Sequence, residues 1–212
     1  MRILSPNDFG LLGMVTIFTA FFNIIKDSGL GSSLIFKKQL DEEDINTVFF
    51  YSLVVGAIIT LLFFFLSVPI AAYYEEPRLV SIVRLYSMVF VISSSNSVHE
   101  ALLTKNLEFK RKFVVEFVGV VVSSFVAIYM ALSNFGVWSL VGLHISKAIA
   151  TSIIYWSVSN FRPRLGFSFS VLKKHFGYSA PVLGTKVFNY WSRNADNLFI
   201  GKFLGSQALG YY

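Results

Sequence analysis

Among the ionisable side chains inside stretches otherwise apolar enough for lipid, seven are candidate cavity residues: Lys26, Arg84, His144, Lys147, Lys186, Arg193 and Asp196. A charge at bilayer depth costs roughly 3 kcal/mol, so such a group faces a wet interior, finds a partner or reaches back to the interface. Lys147 sits near the middle of its apolar run, with His144 one turn before it on the same helical face. Two readings are open for it: an anion contact inside a cavity, or a lysine snorkelling or paired to a carboxylate on another helix. His144 reads as a polar packing residue. Lys186 and Arg193 are two turns apart on one face, and Asp196 follows beside Arg193. They form either a cationic strip with Arg193 oriented by Asp196, or a strip residue at Lys186 and a local Arg–Asp pair. Lys26 and Asp27 point about 100° apart on a helix and do not neutralise each other. "KDSGLGSS" is then a cavity-lining break or the cytoplasmic end of a span. Arg84 is about five residues inside its run, shallow enough to snorkel to the outer interface or to turn into a lumen.

Other patterns that carry chemistry are incomplete. His99-Glu100 begins an "HExxH" zinc motif, but Leu103 stands where the second histidine belongs. "GLGSS" has no Gly-Lys-Ser/Thr after it and is not a phosphate loop. There is no cysteine, and no Ser/His/Asp arrangement has motif support. The expectation is no catalytic residue, no metal and no cofactor: a protein that is not an enzyme. A membrane-embedded transferase needs a polar loop with a catalytic acid or histidine array, and these loops are short and basic.

The elements that position the charges are membrane spans. Of 212 residues 55% are hydrophobic and only 14% charged, against about 25% charged in soluble domains. A spanning helix needs roughly 20 mostly apolar residues. Six candidates follow, at about 9–30, 45–72, 79–103, 113–132, 137–158 and 176–203. "YYEEPR" with Pro77 closes the second, and "SNFG" turns between the fourth and fifth. The net charge of +6 is clustered in alternate loops: Lys37 and Lys38; Lys105, Lys110, Arg111 and Lys112; Arg162, Arg164, Lys173 and Lys174. The other side holds little beyond Arg2, Arg78 and Lys202. By the positive-inside rule the basic side is cytoplasmic, and no nucleic-acid partner is implied. Glu116, beside a basic loop, is expected at the surface, and Trp138 and the tyrosines near span ends read as interfacial anchors.

The last residues, "LGSQALGYY", align without a gap on "LSPNDFGLL" at 4–12. Six spans separate the two stretches, so both fall on the outer face. That pattern fits a repeat of about six spans with its axis along the membrane normal. The second copy is preceded by a helix and the first is not, so the expectation is a fragment of a helical transporter of twelve or more spans. Residues 1–170 make most of the first lobe, lacking its first helix. Residues 171–212 make the first helix of the second lobe and the periplasmic turn after it.

Several stretches then read together: "LSPNDFGLLGM", "GLGSSLIFKKQLDEEDINTVFF", "LTKNLEFKRK", "NFGVWSLVG", "FRPRLGFSFS" and "RNADNLFIGKFLGSQALGYY". In this order they resemble the polysaccharide-transporter branch of the multidrug/oligosaccharidyl-lipid/polysaccharide exporter superfamily. The likeness is to its colanic-acid and exopolysaccharide type, related to O-antigen flippases. The resemblance implies an all-α polytopic bundle of two lobes around a central cavity, opening alternately to each face of the bacterial cytoplasmic membrane. It implies a lipid-linked oligosaccharide as cargo, carried on undecaprenyl diphosphate, with membrane lipids and the polymerase and glycosyltransferases of the same pathway as partners. A diphosphate head needs a partly cationic path, which makes Lys147 and Lys186 the expected phosphate contacts, their removal lowering transport. A drug or small-cation exporter of the same superfamily would want a deep carboxylate, and the deep charges here are mostly basic. A non-transporting membrane scaffold would need no buried cations.

Overall fold

The computed structural model describes residues 4–26, 30–37 and 39–211, and among them only helices and short connections. Arg2, Asp27, Lys38 and Tyr212, named above, lie outside the described residues, as does the break at 27–29. The described helices are α1 (Pro6–Lys26), α2 (Leu30–Phe36), α3 (Glu42–Tyr74), α4 (Leu79–Ser94), α5 (Ser97–Lys105), α6 (Phe109–Leu132), α7 (Val137–Val158), α8 (Phe169–Phe203) and α9 (Gly205–Tyr211).

Local chemistry explains the ends. The Ser5 amide and hydroxyl donate to Asp8 Oδ2 at 2.9 and 2.7 Å, and the Asp8 amide returns to Ser5 Oγ at 3.2 Å. That box starts α1, with Pro6 at the first helical position, where a missing N–H costs nothing. The Asp41 amide donates to Asp44 Oδ2 at 3.0 Å, which fixes the start of α3, and Lys37 Nζ pairs with the same buried carboxylate at 2.5 Å. α3, α5 and α6 close alike, with Glu75, Leu107 and Asn134 in the left-handed region. The next amides then reach back to Ala71, Leu103 and Met130 carbonyls.

Two expectations change. The span expected over 79–103 is broken into α4 and α5, bent by 41°. The "SSSNS" stretch supplies the cause. Ser94 Oγ donates to Phe90 O at 2.7 Å, Ser95 Oγ to Ile92 O at 2.7 Å and Ser97 Oγ to Ser94 O at 3.1 Å. Hydroxyls that compete for main-chain carbonyls bend a helix. "GSQALGY", expected as a turn, is the helix α9. In the aligned register it starts one residue before the counterpart of Pro6, where α1 starts.

Among the described residues four helices are long and apolar enough to cross a membrane: α1, α3, α6 and α7. A fifth appears when α4 and α5 count as one bent span. α8, expected as a sixth span from Phe176, starts at Phe169 and is not among them. Phe65, Phe125 and Tyr129 are more than 70% exposed, an apolar exterior suited to lipid rather than water. The chain is an all-α polytopic membrane protein.

Packing inside the bundle runs through close helix contacts, as expected where lipid removes the usual hydrophobic drive between helices. Leu11 and Met14 of α1, Phe63 of α3, Phe90 of α4 and Val141 of α7 are buried together in one core. α3 meets α4 where Gly56 faces Ser94; a Cβ there would lie 2.6 Å from Ser94 Cβ and 3.2 Å from Phe90 O. At the basic end Lys105 Nζ donates to Leu34 O at 3.2 Å, a cation on the open carbonyls that end α2. The connection from α7 to α8 is tied down there too. The Arg164 amide donates to Asn46 Oδ1 at 2.9 Å and the Ser168 amide to Thr47 Oγ1 at 3.1 Å.

Candidate functional site

Three of the lysines meet at the basic end. Lys26 ends α1, Lys112 lies in the first turns of α6, and Lys186 is midway along α8. They line one cavity of about 260 Å³, with Ser97, Thr104 and Glu100 among its other walls. Lys26 Nζ donates to Ser93 Oγ at 2.9 Å. Lys112 pairs with Glu100 at 2.8 Å. Among the described lining residues three are lysines and one is a carboxylate. The bent α4–α5 junction supplies Ser97 to this wall, consistent with the rule that irregular backbone at membrane depth lines a cavity or is buried in protein.

Lys186 also borders a second cavity of about 390 Å³ further along α8, shared with Asn189, Arg193 and Asn194. Lys186 and Arg193 are therefore on one lined face, about 10 Å apart along the helix axis. Asp196 Oδ1 accepts the Asn197 amide at 2.9 Å.

The other candidates are placed elsewhere. Lys147 Nζ pairs with Glu116 at 3.3 Å, from α7 to α6, and Tyr155 OH donates to the same carboxylate at 3.3 Å. Glu116, expected at the surface beside a loop, is thus a partner within the α6–α7 pair. His144 packs its ring against Tyr86 with centroids 5.1 Å apart. Arg84 lies over the Phe64 ring at 4.6 Å and its Nε donates to Ser67 Oγ at 3.1 Å, on an exposed face of the α3–α4 hairpin. None of these three lines the two cavities above. One outcome follows. Lys147→Ala leaves Glu116 without its cation, so it should lower the amount of protein in the membrane. Export per molecule should stay near the parent value, read by normalising polymer export to protein level.

At the opposite end the two aligned stretches touch each other. A Cβ built on Gly10 overlaps the Ser206 carbonyl and lies 2.9 Å from Ser206 Cα. A Cβ built on Gly210 overlaps the Pro6 carbonyl and lies 3.1 Å from the Gly10 nitrogen. In the alignment Pro6 corresponds to Ser206 and Gly10 to Gly210. Each glycine therefore meets the counterpart of the residue that meets the other, the signature of two like surfaces about a two-fold axis. Ser206 Oγ also donates to Asn7 Oδ1. Beside this crossing Lys202 Nζ pairs with Glu75 at 2.7 Å, and the hydrogen-bonded ammonium holds that carboxyl below the usual range. The outer end is closed by direct backbone contact.

The profile of a family described as "Polysaccharide biosynthesis protein" matches residues 1–212, the whole chain. The chain belongs to this family. It is 26% identical to the succinoglycan biosynthesis transport protein ExoT of Rhizobium meliloti (strain 1021), over 100% of this chain and 43% of that protein. To the teichuronic acid biosynthesis protein TuaB of Bacillus subtilis (strain 168) it is 29% identical, over 92% of this chain and 41% of that protein. To the lipopolysaccharide biosynthesis protein WzxC of Escherichia coli (strain K12) it is 24% identical, over 100% and 43%. The chain thus spans less than half the length of these relatives. No solved structure matches it. Membership of this polysaccharide biosynthesis family, together with the apolar helices, makes it a multi-pass protein of the bacterial cytoplasmic membrane.

Lys112 was assigned only to a basic loop in the sequence, yet it lines the family member's cationic cavity. A signal was present. Val115 and Gly119 are the buried face of α6, and Lys112 lies three and seven residues before them on that face. Lys110 lies off it, and Arg111 is exposed and pairs with Glu108 at 2.7 Å.

Proposed function

We propose that this chain is part of a flippase that carries a lipid-linked oligosaccharide from the inner to the outer leaflet by alternating access. The cargo is an undecaprenyl-diphosphate-linked unit for exopolysaccharide, O-antigen or capsule. The observation that carries this reading is the pairing of a lysine-lined cavity at the basic end with a closed crossing at the other. The diphosphate enters from the cytoplasmic side, where Lys26, Lys112 and Lys186 offset its charge and donate hydrogen bonds. The polyprenyl tail stays in lipid. Residues 1–170 form most of one lobe and 171–212 open the second, so α1 against α8 and α9 is the interface between lobes. Parting Gly10 from Gly210 opens the outer side. No bond is made or broken, and the protein is a carrier rather than an enzyme. Pathway polymerases and glycosyltransferases would act on either side of this step. A cationic drug as cargo is disfavoured by three lysines in the cavity.

The test is a strain lacking the gene, with early polymer synthesis intact. Undecaprenyl-diphosphate oligosaccharide should accumulate on the cytoplasmic face, seen by mass spectrometry of lipid extracts, and the restored gene should clear it. Normal export with no accumulation would move the cargo assignment to another molecule.

A further inference from the structure

Outward of the lysines lies a third cavity, of about 420 Å³, between α1, α8 and α9. Its chemistry is different. Thr16 of α1 and Tyr190, Asn194 and Asn197 of α8 supply its polar groups, and none of its lining residues is charged. It lies inward of the Gly10–Gly210 crossing, and Gly13 and Leu209 are among its lining residues. Toward the cytoplasm Tyr190 OH donates to the Ile17 carbonyl, and Phe21 packs against Tyr190 and Trp191 at 6.0 and 5.3 Å between ring centroids. The chamber is thus bounded at both ends by contacts between α1 and the last two helices.

The stripe on α8 changes character in order along one helical face. Lys186, Tyr190, Arg193, Asn197 and Gly201 recur at three- and four-residue spacing. Tyr190 stands between the two cations, Lys186 and Arg193; the amide of Asn197 follows, then a glycine against Tyr74 at the outer end. The Thr16 hydroxyl donates to Gly13 O at 2.9 Å and the Asn194 amide nitrogen to Tyr190 O at 2.9 Å, which leaves their oxygens to accept, and the Asn197 amide carries both functions. Such groups suit neutral polyols and offer nothing special to a diphosphate. An uncharged polar surface at membrane depth has no use in holding lipid, and a chamber of this size exceeds what a few hydrogen bonds between helices require.

We infer that this chamber is a glycan subsite: it takes uncharged sugar residues of the cargo while the lysines hold the diphosphate. The inference rests on the flippase reading above. Along α8 the axial distance from Lys186 to Asn197 is about 16 Å, so anchor and subsite are separate places on one cargo. Thr16 and Asn197 then govern which glycan passes, and the lysines govern whether any diphosphate lipid passes.

The protein as its gene encodes it is reconstituted with two cargoes: a polyprenyl diphosphate bearing the complete oligosaccharide, and one bearing only its first sugar. Asn197→Leu, at a position that lines neither lysine-bordered cavity, should lose transport of the complete cargo by about tenfold or more, as unmade hydrogen bonds would give. The short cargo should move at close to the parent rate. Thr16→Val, which keeps the side-chain shape on the facing helix, should shift the same ratio in the same direction and guards against a folding defect in Asn197→Leu. An equal loss of both cargoes in Thr16→Val and the asparagine variant, or no loss of either, overturns the subsite. Failure of the parent protein to move either lipid overturns the flippase reading itself.

Discussion

Gly10→Leu and Gly210→Leu each stop polymer export, and by about the same factor, while the protein stays in the membrane. Both glycines sit where a Cβ would overlap a main-chain carbonyl of the other stretch. Main chain cannot swing aside as a flexible side chain can, so the two helices must part. Overpacking of this kind costs about 1–3 kcal/mol. Applied to one state of a two-state carrier, that is a shift of about 5- to 150-fold toward the form open outside. Gly10 faces Ser206 and Gly210 faces Pro6, so the strain falls on the contact between the two stretches. The 212 residues contain no cysteine, so a single cysteine placed among them is unique in this stretch. Ser97→Cys, in the wall of the lysine cavity, should label from the cytoplasmic side in the parent and much less in Gly10→Leu. Normal export and unchanged labelling in both glycine variants would show that this crossing is not the closing contact.

Lys26→Ala and Lys186→Ala each lower export by about tenfold or more, and together they lower it further. A hydrogen bond to a charged group contributes about 1.5–3 kcal/mol, and each ammonium offers such bonds to a diphosphate. Lys186 borders both inner cavities, so Lys186→Glu should be the more damaging change at that position and Lys186→Arg should retain most activity. Export rates normalised to membrane protein level decide it. A double alanine variant with full export would remove the cationic path.

Much of the fold was legible because it depends on local patterning. The turn at "SNFG" and the apolar run after it give α7 at the expected bounds, Val137–Val158. α3 differs from its expected span by a few residues at each end. The break after Ser94 was not legible as a break, since hydropathy weighs side chains and takes no account of hydroxyls bonding back to carbonyls. α8 starts seven residues early because "FSVLKK", read as a basic loop, is compatible with a helix running out of the apolar layer. The site was legible in part. Depth singled out Lys26, Lys186 and Arg193, and the structure sets all three on cavity walls. Depth also singled out Lys147, whose partner Glu116 lies on another helix. Which residues of α6 face which of α7 follows from packing around Gly119, where a Cβ would come within 2.5 Å of Thr151 Cγ2. No spacing within either helix encodes that pairing. The likeness between 4–12 and 204–212 was legible as sequence; that the two stretches touch, glycine to backbone, required the tertiary structure.

The most direct measurement is leaflet transfer by the purified protein, encoded in full by its gene, in vesicles holding a polyprenyl-diphosphate oligosaccharide in both leaflets. A membrane-impermeant reagent that attacks the sugars reports which molecules face outward. With the parent protein the protected inner pool should become reactive, and with Lys26→Ala/Lys186→Ala it should stay protected. An inner pool that stays protected with the parent protein, or that is exposed equally by the double variant, would contradict flipping through a lysine-lined cavity.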